Sequence, residues 1–84
     1  MNRIASILAA LALIEARTNV VKAATRRKWA SIKGRPAAVI IAAQIKMEEA
    51  SERAKACGLN NRQIGDAIIE GLKLADFAKA ATPT

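Results

Sequence analysis

Helix-ending signals cluster at two places in this sequence, and long stretches of helix-favouring residues lie between them. The first is Gly34-Arg35-Pro36, where a glycine that can end one helix stands beside a proline suited to the first turn of the next. The second is Gly58-Leu59-Asn60-Asn61, a glycine followed by asparagines that can cap a helix. Alanine, the strongest helix former, supplies 20 of the 84 residues. We therefore predict an all-α fold, a small bundle of about three helices near 3–33, 36–57 and 61–81.

The first predicted segment could be one helix or two. Thr18 and Asn19 are residues that cap a new helix, so the sequence is compatible with one long helix and with a break near 17–19. The sequence pattern leaves both arrangements open.

The segment begins with an apolar run of eleven residues, from Ile4 to Ile14. This is the length of a signal-peptide core, but no small-residue cleavage site follows it, and it is about half as long as a membrane-spanning helix. We expect neither a signal peptide nor a transmembrane span, and contact with a membrane surface remains an alternative. The larger side chains have the spacing of one amphipathic helix face, which we expect to be packed in the protein: Ile4, Ile7, Leu8, Leu11 and Ile14.

Positive charge is concentrated in the first part of the chain. The net charge is +7, and residues 1–36 hold eight basic residues against one acid, whereas residues 37–84 hold six of each. We predict a single helical domain, 1–84, with a basic part, 1–36, and a charge-balanced part, 37–84. Because the bases point in all directions around a helix, we expect the basic half of the first helix to project into solvent or onto a partner.

Seven basic residues and one tryptophan occur between Arg17 and Arg35 without an intervening acid. Lysine and arginine neutralise phosphates, and a tryptophan can stack on a base. The same residues could instead form a solvated basic face with the tryptophan in the core, or bind an acidic protein or anionic lipid. The candidate nucleic-acid or anion-binding residues are Arg17, Lys22, Arg26, Arg27, Lys28, Trp29, Lys33 and Arg35.

Large apolar side chains outside the core stripes of the second and third helices indicate a protein partner. Three short helices seldom bury this many such side chains without help. We expect a homo-oligomer or a tight complex with another protein. The predicted contact residues are Ile41, Ile45, Ile69, Leu74 and Phe77.

Residue types that carry much of enzyme and metal chemistry are scarce. The chain has no histidine, no tyrosine and one cysteine, which argues against zinc sites, disulfide frameworks and catalysis by an imidazole. Glu48, Glu49 and Glu52 lie among basic residues, as on a solvated salt-bridging face. Cys57 falls on the apolar stripe, where we expect a buried thiol. We predict no enzymatic activity, no cofactor and no metal site.

The ten residues from Gly58 to Ala67 resemble the first helix of the helix-turn-helix domains of LuxR-type regulators. That resemblance implies a second, DNA-reading helix after a turn. This sequence departs from the pattern, because Gly65 stands where alanine is usual, no turn follows at the right spacing, and Glu70 and Asp76 replace basic residues. We expect an asparagine-capped structural helix here.

Three functions from different classes remain. The leading one is a non-enzymatic binding protein that contacts nucleic-acid phosphates through residues 17–35. The alternatives are a structural subunit of a homo-oligomeric assembly such as a virion, and a small inhibitor or adaptor that docks on an acidic protein surface. The expected location is the cytoplasm or a nucleoprotein or virion assembly.

Overall fold

A computed structural model describes residues 3–81, and within them the chain forms three α-helices joined by two short connections. Helix α1 spans Arg3–Ile32, α2 spans Ala37–Cys57 and α3 spans Asn61–Ala81. Helices α2 and α3 both pack along α1 and contact each other little. The predicted all-α bundle of three helices is confirmed.

Both connections follow the glycine signals of the sequence. Gly34 has a φ of 64° and Gly58 a φ of 111°, a backbone region that favours glycine. At the end of α2, the Gly58 N–H donates to the Lys55 carbonyl and the Leu59 N–H donates to the Ala54 carbonyl, each over 3.0 Å. This is a Schellman ending, and the buried Leu59 side chain anchors it. The same hydrogen-bond pattern ends α1 at Gly34.

A reciprocal pair of hydrogen bonds starts α3. The Gln63 N–H donates to Asn60 Oδ1, and the Asn60 N–H donates to Gln63 Oε1, each over 2.8 Å. This capping box confirms the predicted asparagine cap. Helix α3 then continues to Ala81 without a turn, so the described residues contain no helix-turn-helix at this point. At α2, Pro36 is the cap residue and the helix begins at Ala37, one residue later than predicted.

Helix α1 is unbroken at Thr18 and Asn19. Ala16 and Val20, on either side of this pair, are buried in the core. The Arg17 guanidinium also pairs with the Glu70 carboxylate of α3, with 2.7 Å between Nη1 and Oε2. Because packing holds both flanking turns in the helix, the capping potential of Thr18 and Asn19 is not used.

The core consists mainly of small side chains. Among residues 3–81, Val20 is the largest side chain that is fully buried. With alanines on the facing surfaces, the helices approach closely but bury little apolar area, which predicts a modest free energy of unfolding. The buried hydrophobic residues are Ala16, Val20, Ala24, Ala30, Ala54, Leu59, Ile64, Ala67 and Ala75.

The two halves of α1 have the opposite roles to those predicted. The basic half, from Ala16 onward, packs between α2 and α3, whereas the apolar half is exposed, with Ile4 at 69% and Ile14 at 62%. The reason is length, because α1 has 30 residues and its two partners have 21 each. The connection between the partners lies level with Leu13, whose side chain is 3.9 Å from where a Cβ of Gly58 would be. Residues 4–14 form a projecting helix, which we call the N-terminal arm.

Cys57 is exposed, so the expectation of a buried thiol was wrong. Helix α2 packs mainly against α1, and its buried face is therefore narrow. Ala54 is the one α2 residue that is fully covered among the described residues, and Cys57 lies beyond it at the end of the helix.

Candidate nucleic-acid interface

An open groove between α1 and α2 brings together basic side chains from both helices. Lys22 and Arg26 lie one turn apart on α1, and Lys46 and Arg53 lie on the facing side of α2. Among the described residues that line this groove, Glu49 is the one acid. The groove has a volume of about 430 Å³, and we call it the basic groove. Four positive charges against one negative charge make it suited to an anion.

The hairpin formed by α1 and α2 explains why these four residues meet. The turn at Gly34 reverses the chain, so that α2 runs antiparallel to α1. Arg27 lies opposite Gln44, with 2.9 Å between Nε and Oε1, and this register sets Arg26 beside Lys46. Spacings of four residues on α1 and seven on α2 keep each basic pair on one helix face.

Two of the predicted arginines are held by contacts within the protein. Arg17 is paired with Glu70, and the two side chains are 45% and 48% exposed. Arg27 donates to Gln44 through Nε and to the Ser31 hydroxyl through Nη1 at 2.7 Å. A phosphate that bound Arg17 or Arg27 would compete with these intramolecular partners. A phosphate bound in the basic groove would leave both sets of contacts in place.

Lys28 lies on a different side of α1 from the basic groove. Together with Arg27 it lines a second, more apolar groove, which Met47 of α2 and Ile68 and Leu72 of α3 also border. The basic residues between Arg17 and Arg35, which no acid interrupts in the sequence, therefore lie on different surfaces of the fold.

Trp29 is half-buried and lies outside the core cluster. The ammonium nitrogen of Lys33 lies 4.8 Å from the centre of the indole ring, a cation–π contact. Trp29 is therefore not a core side chain, and a base that stacked on this ring face would displace Lys33. Lys33 and Arg35 themselves are exposed near the turn between α1 and α2.

The five predicted partner-contact residues are all exposed, by 48% to 75%. They are divided between α2 and α3, which both pack on α1 and contact each other little. Their contact with a partner stays a prediction. The residues are Ile41 and Ile45 on α2, and Ile69, Leu74 and Phe77 on α3.

Sequence reasoning missed Lys46 and Arg53 as members of the site. Both lie in the charge-balanced part of the chain, where they do not stand out by composition. Their spacing on one helix face, combined with a hairpin turn at Gly34, was the signal that could have placed them opposite Lys22 and Arg26.

Helix α1 is long and apolar enough to be a candidate membrane span by length and composition. Its most apolar 18-residue stretch has a mean hydropathy of 1.6, and 11% of that stretch is buried within the protein. A stretch of this length that begins after Arg3 includes the charged residues Glu15 and Arg17 and the core residue Val20. Insertion of the whole stretch would therefore remove Val20 from the core.

The fold and the site define a class: a three-helix bundle with a basic groove on one side and an apolar arm at one end. No protein-family model, curated protein or solved structure matches this chain.

Proposed function

We propose that the protein binds the phosphate backbone of nucleic acid through the basic groove. The observation that carries this proposal is the convergence of Lys22, Arg26, Lys46 and Arg53 from two helices around one open groove. Contacts from lysine and arginine to phosphates supply affinity that depends little on base sequence. The proposed activity is binding without strong sequence preference.

The dimensions of the groove suit a polyanion. Lys46 and Arg53 are seven residues apart, a distance of about 10 Å along a helix axis. Duplex DNA carries about one negative charge per 1.7 Å of its axis, so a groove of this length faces several phosphates. Lys33 and Arg35, both exposed near the turn between α1 and α2, add two further positive charges to this hairpin.

Fluorescence anisotropy with labelled duplex DNA, single-stranded DNA and RNA tests the proposal. We expect the parent protein to bind at low salt and to lose affinity steeply as salt is added, with a log–log slope of about 0.9 per neutralised phosphate on duplex DNA. Replacing Lys22→Ala and Arg26→Ala together should reduce the magnitude of that slope by about 2.

A charge-matched variant separates the groove from the effect of net charge. Lys73 and Lys79 are exposed on α3, outside the basic groove. Replacing both with alanine removes the same charge, and we expect the slope to stay close to that of the parent. A parent that binds none of the three nucleic acids at low salt would refute the proposal, as would equal losses in the two variants.

A further inference from the structure

We propose that the N-terminal arm is a self-association surface and that its occupant is the arm of a second copy, running antiparallel. Monomeric soluble proteins rarely expose a dense apolar surface of this kind without using it for interaction. The arm carries six large apolar side chains that are 39% to 69% exposed: Ile4, Ile7, Leu8, Leu11, Leu13 and Ile14.

The spacing of these side chains is that of a coiled-coil seam. Ile4, Ile7, Leu11 and Ile14 are separated by three, four and three residues, the alternation that places successive side chains on one stripe of a paired helix. Most positions between them are alanine, which lets a second helix approach closely. The arm therefore has the pattern of a two-helix contact, and within one copy no partner helix covers it along residues 4–11.

The arm is self-complementary when two copies run in opposite directions. In an antiparallel pair centred on residue 9, Ile4 lies level with Ile14 of the second copy, and Ile7 lies level with Leu11 of the second copy. The same register sets Arg3 level with Glu15 of the second copy. Opposite charges therefore face each other at both ends of the pair. This is the symmetry of a two-fold interface, in which the same surface serves both copies.

The charge of the bundles also favours the antiparallel arrangement. Each chain carries a net charge of +7. Antiparallel arms place the two bundles at opposite ends of the pair, whereas parallel arms would set the basic grooves side by side. Because salt screens the remaining repulsion, we expect the dimer to strengthen as salt rises, the reverse of the expected effect on nucleic-acid binding.

A lipid bilayer suits the arm less well. Eleven helical residues are about 16 Å long, roughly half the thickness of the hydrocarbon core. Deeper insertion would separate Arg17 from Glu70 and withdraw Val20 from the core. Helices that lie in the membrane surface carry a strongly charged face, whereas residues 4–14 hold no charged side chain and the nearest charges, Arg3 and Glu15, flank the two ends of the arm.

Sedimentation equilibrium over a concentration series tests the inference. Two eleven-residue helices bury less area than a standard interface, so we expect a weak dimer with a dissociation constant on the order of micromolar. Ile7 and Leu11 are 58% and 54% exposed in the single chain. Replacing Ile7→Asp and Leu11→Asp together should therefore abolish the dimer while the circular dichroism spectrum keeps its helical form.

A matched control uses Ile41 and Ile45, which are 58% and 48% exposed on α2. Replacing both with aspartate should leave the dimer intact. A parent that stays monomeric at all concentrations would overturn the inference, as would a dimer that the arm variant preserves. Loss of the dimer in the α2 variant alone would assign the interface to α2 instead.

Disulfide trapping tests the direction of the arms. In a Cys57→Ser background, a ¹⁵N-labelled Ile4→Cys chain is mixed with an unlabelled Ile14→Cys chain and oxidised. Antiparallel arms should give mainly the mixed disulfide in the mass spectrum, whereas excess disulfide between like chains would contradict that direction. Binding of a monomeric parent to phosphatidylcholine–phosphatidylglycerol vesicles, lost in the Ile7→Asp and Leu11→Asp variant, would identify lipid as the occupant and overturn the proposal.

Discussion

Gly71 lies where α3 packs tightly against α1. A Cβ at this position would lie 2.5 Å from the Val21 carbonyl oxygen and 2.7 Å from the Ala24 Cβ. Because these atoms belong to a packed helix, Gly71→Ala should force the helices apart and lower the free energy of unfolding by about 1–3 kcal/mol. Urea unfolding followed by circular dichroism measures this loss.

Gly65 on the same helix provides the control. A Cβ there would meet no atom within 4 Å, so Gly65→Ala should be neutral or stabilise by up to about 1 kcal/mol through helix propensity. An equal loss of unfolding free energy in the Gly65 and Gly71 variants would show that the close packing of α1 and α3 is not the cause of the loss at Gly71.

Local sequence predicts helix ends in this protein, but it does not predict which side chains are buried. The ends at Gly34 and Gly58 and the cap at Asn60 depend on short-range chemistry, and the structure has them where the sequence predicted them. The burial of Cys57 and Trp29 depends on which helices meet and how wide their contact is. That information is not local, so the prediction for Cys57 was wrong and the alternatives for Trp29 stayed open.

At the scale of the helices, α1 should have a gradient of stability. Its residues 16–32 pack on two helices, whereas an isolated helix as short as the arm is marginal in water. In dilute monomer, we expect arm amides to exchange with deuterium much faster than those of residues 20–30. At concentrations that favour the proposed dimer, exchange in the arm should slow. Uniform protection along α1 in the dilute monomer would contradict this account.

The helix bounds were predictable because they follow glycine, proline and asparagine signals, but the roles of the two halves of α1 were not. An apolar pattern such as that of Ile4 and Leu11 indicates which face of a helix avoids water. It does not say whether a neighbouring helix is long enough to cover that face. Here α2 and α3 are nine residues shorter than α1, and the arm remains uncovered.

In the whole molecule, the basic residues that follow one another without an acid in the sequence lie on several different surfaces. Arg17 and Arg27 contact other side chains of the same protein, and Lys28 lines a different groove. Lys46 and Arg53 line the basic groove although they come from the part of the chain with no net charge. The excess of positive charge could be predicted from composition. Its position on the surface depended on the antiparallel register of α1 and α2.

The proposed nucleic-acid site is the basic groove rather than the basic run in the sequence. It is tested most directly by comparing two variants that each lose two positive charges: Lys46→Ala with Arg53→Ala, and Arg17→Ala with Arg27→Ala. A half-exposed ion pair such as that of Arg17 contributes only about 0–1 kcal/mol, so both variants should remain folded by circular dichroism.

The measurement is the salt dependence of duplex DNA binding by anisotropy. We predict that the Lys46 and Arg53 variant reduces the magnitude of the log–log slope by about 2, and that the Arg17 and Arg27 variant keeps a slope close to that of the parent. The reverse order, with the larger loss in the Arg17 and Arg27 variant, would contradict the account.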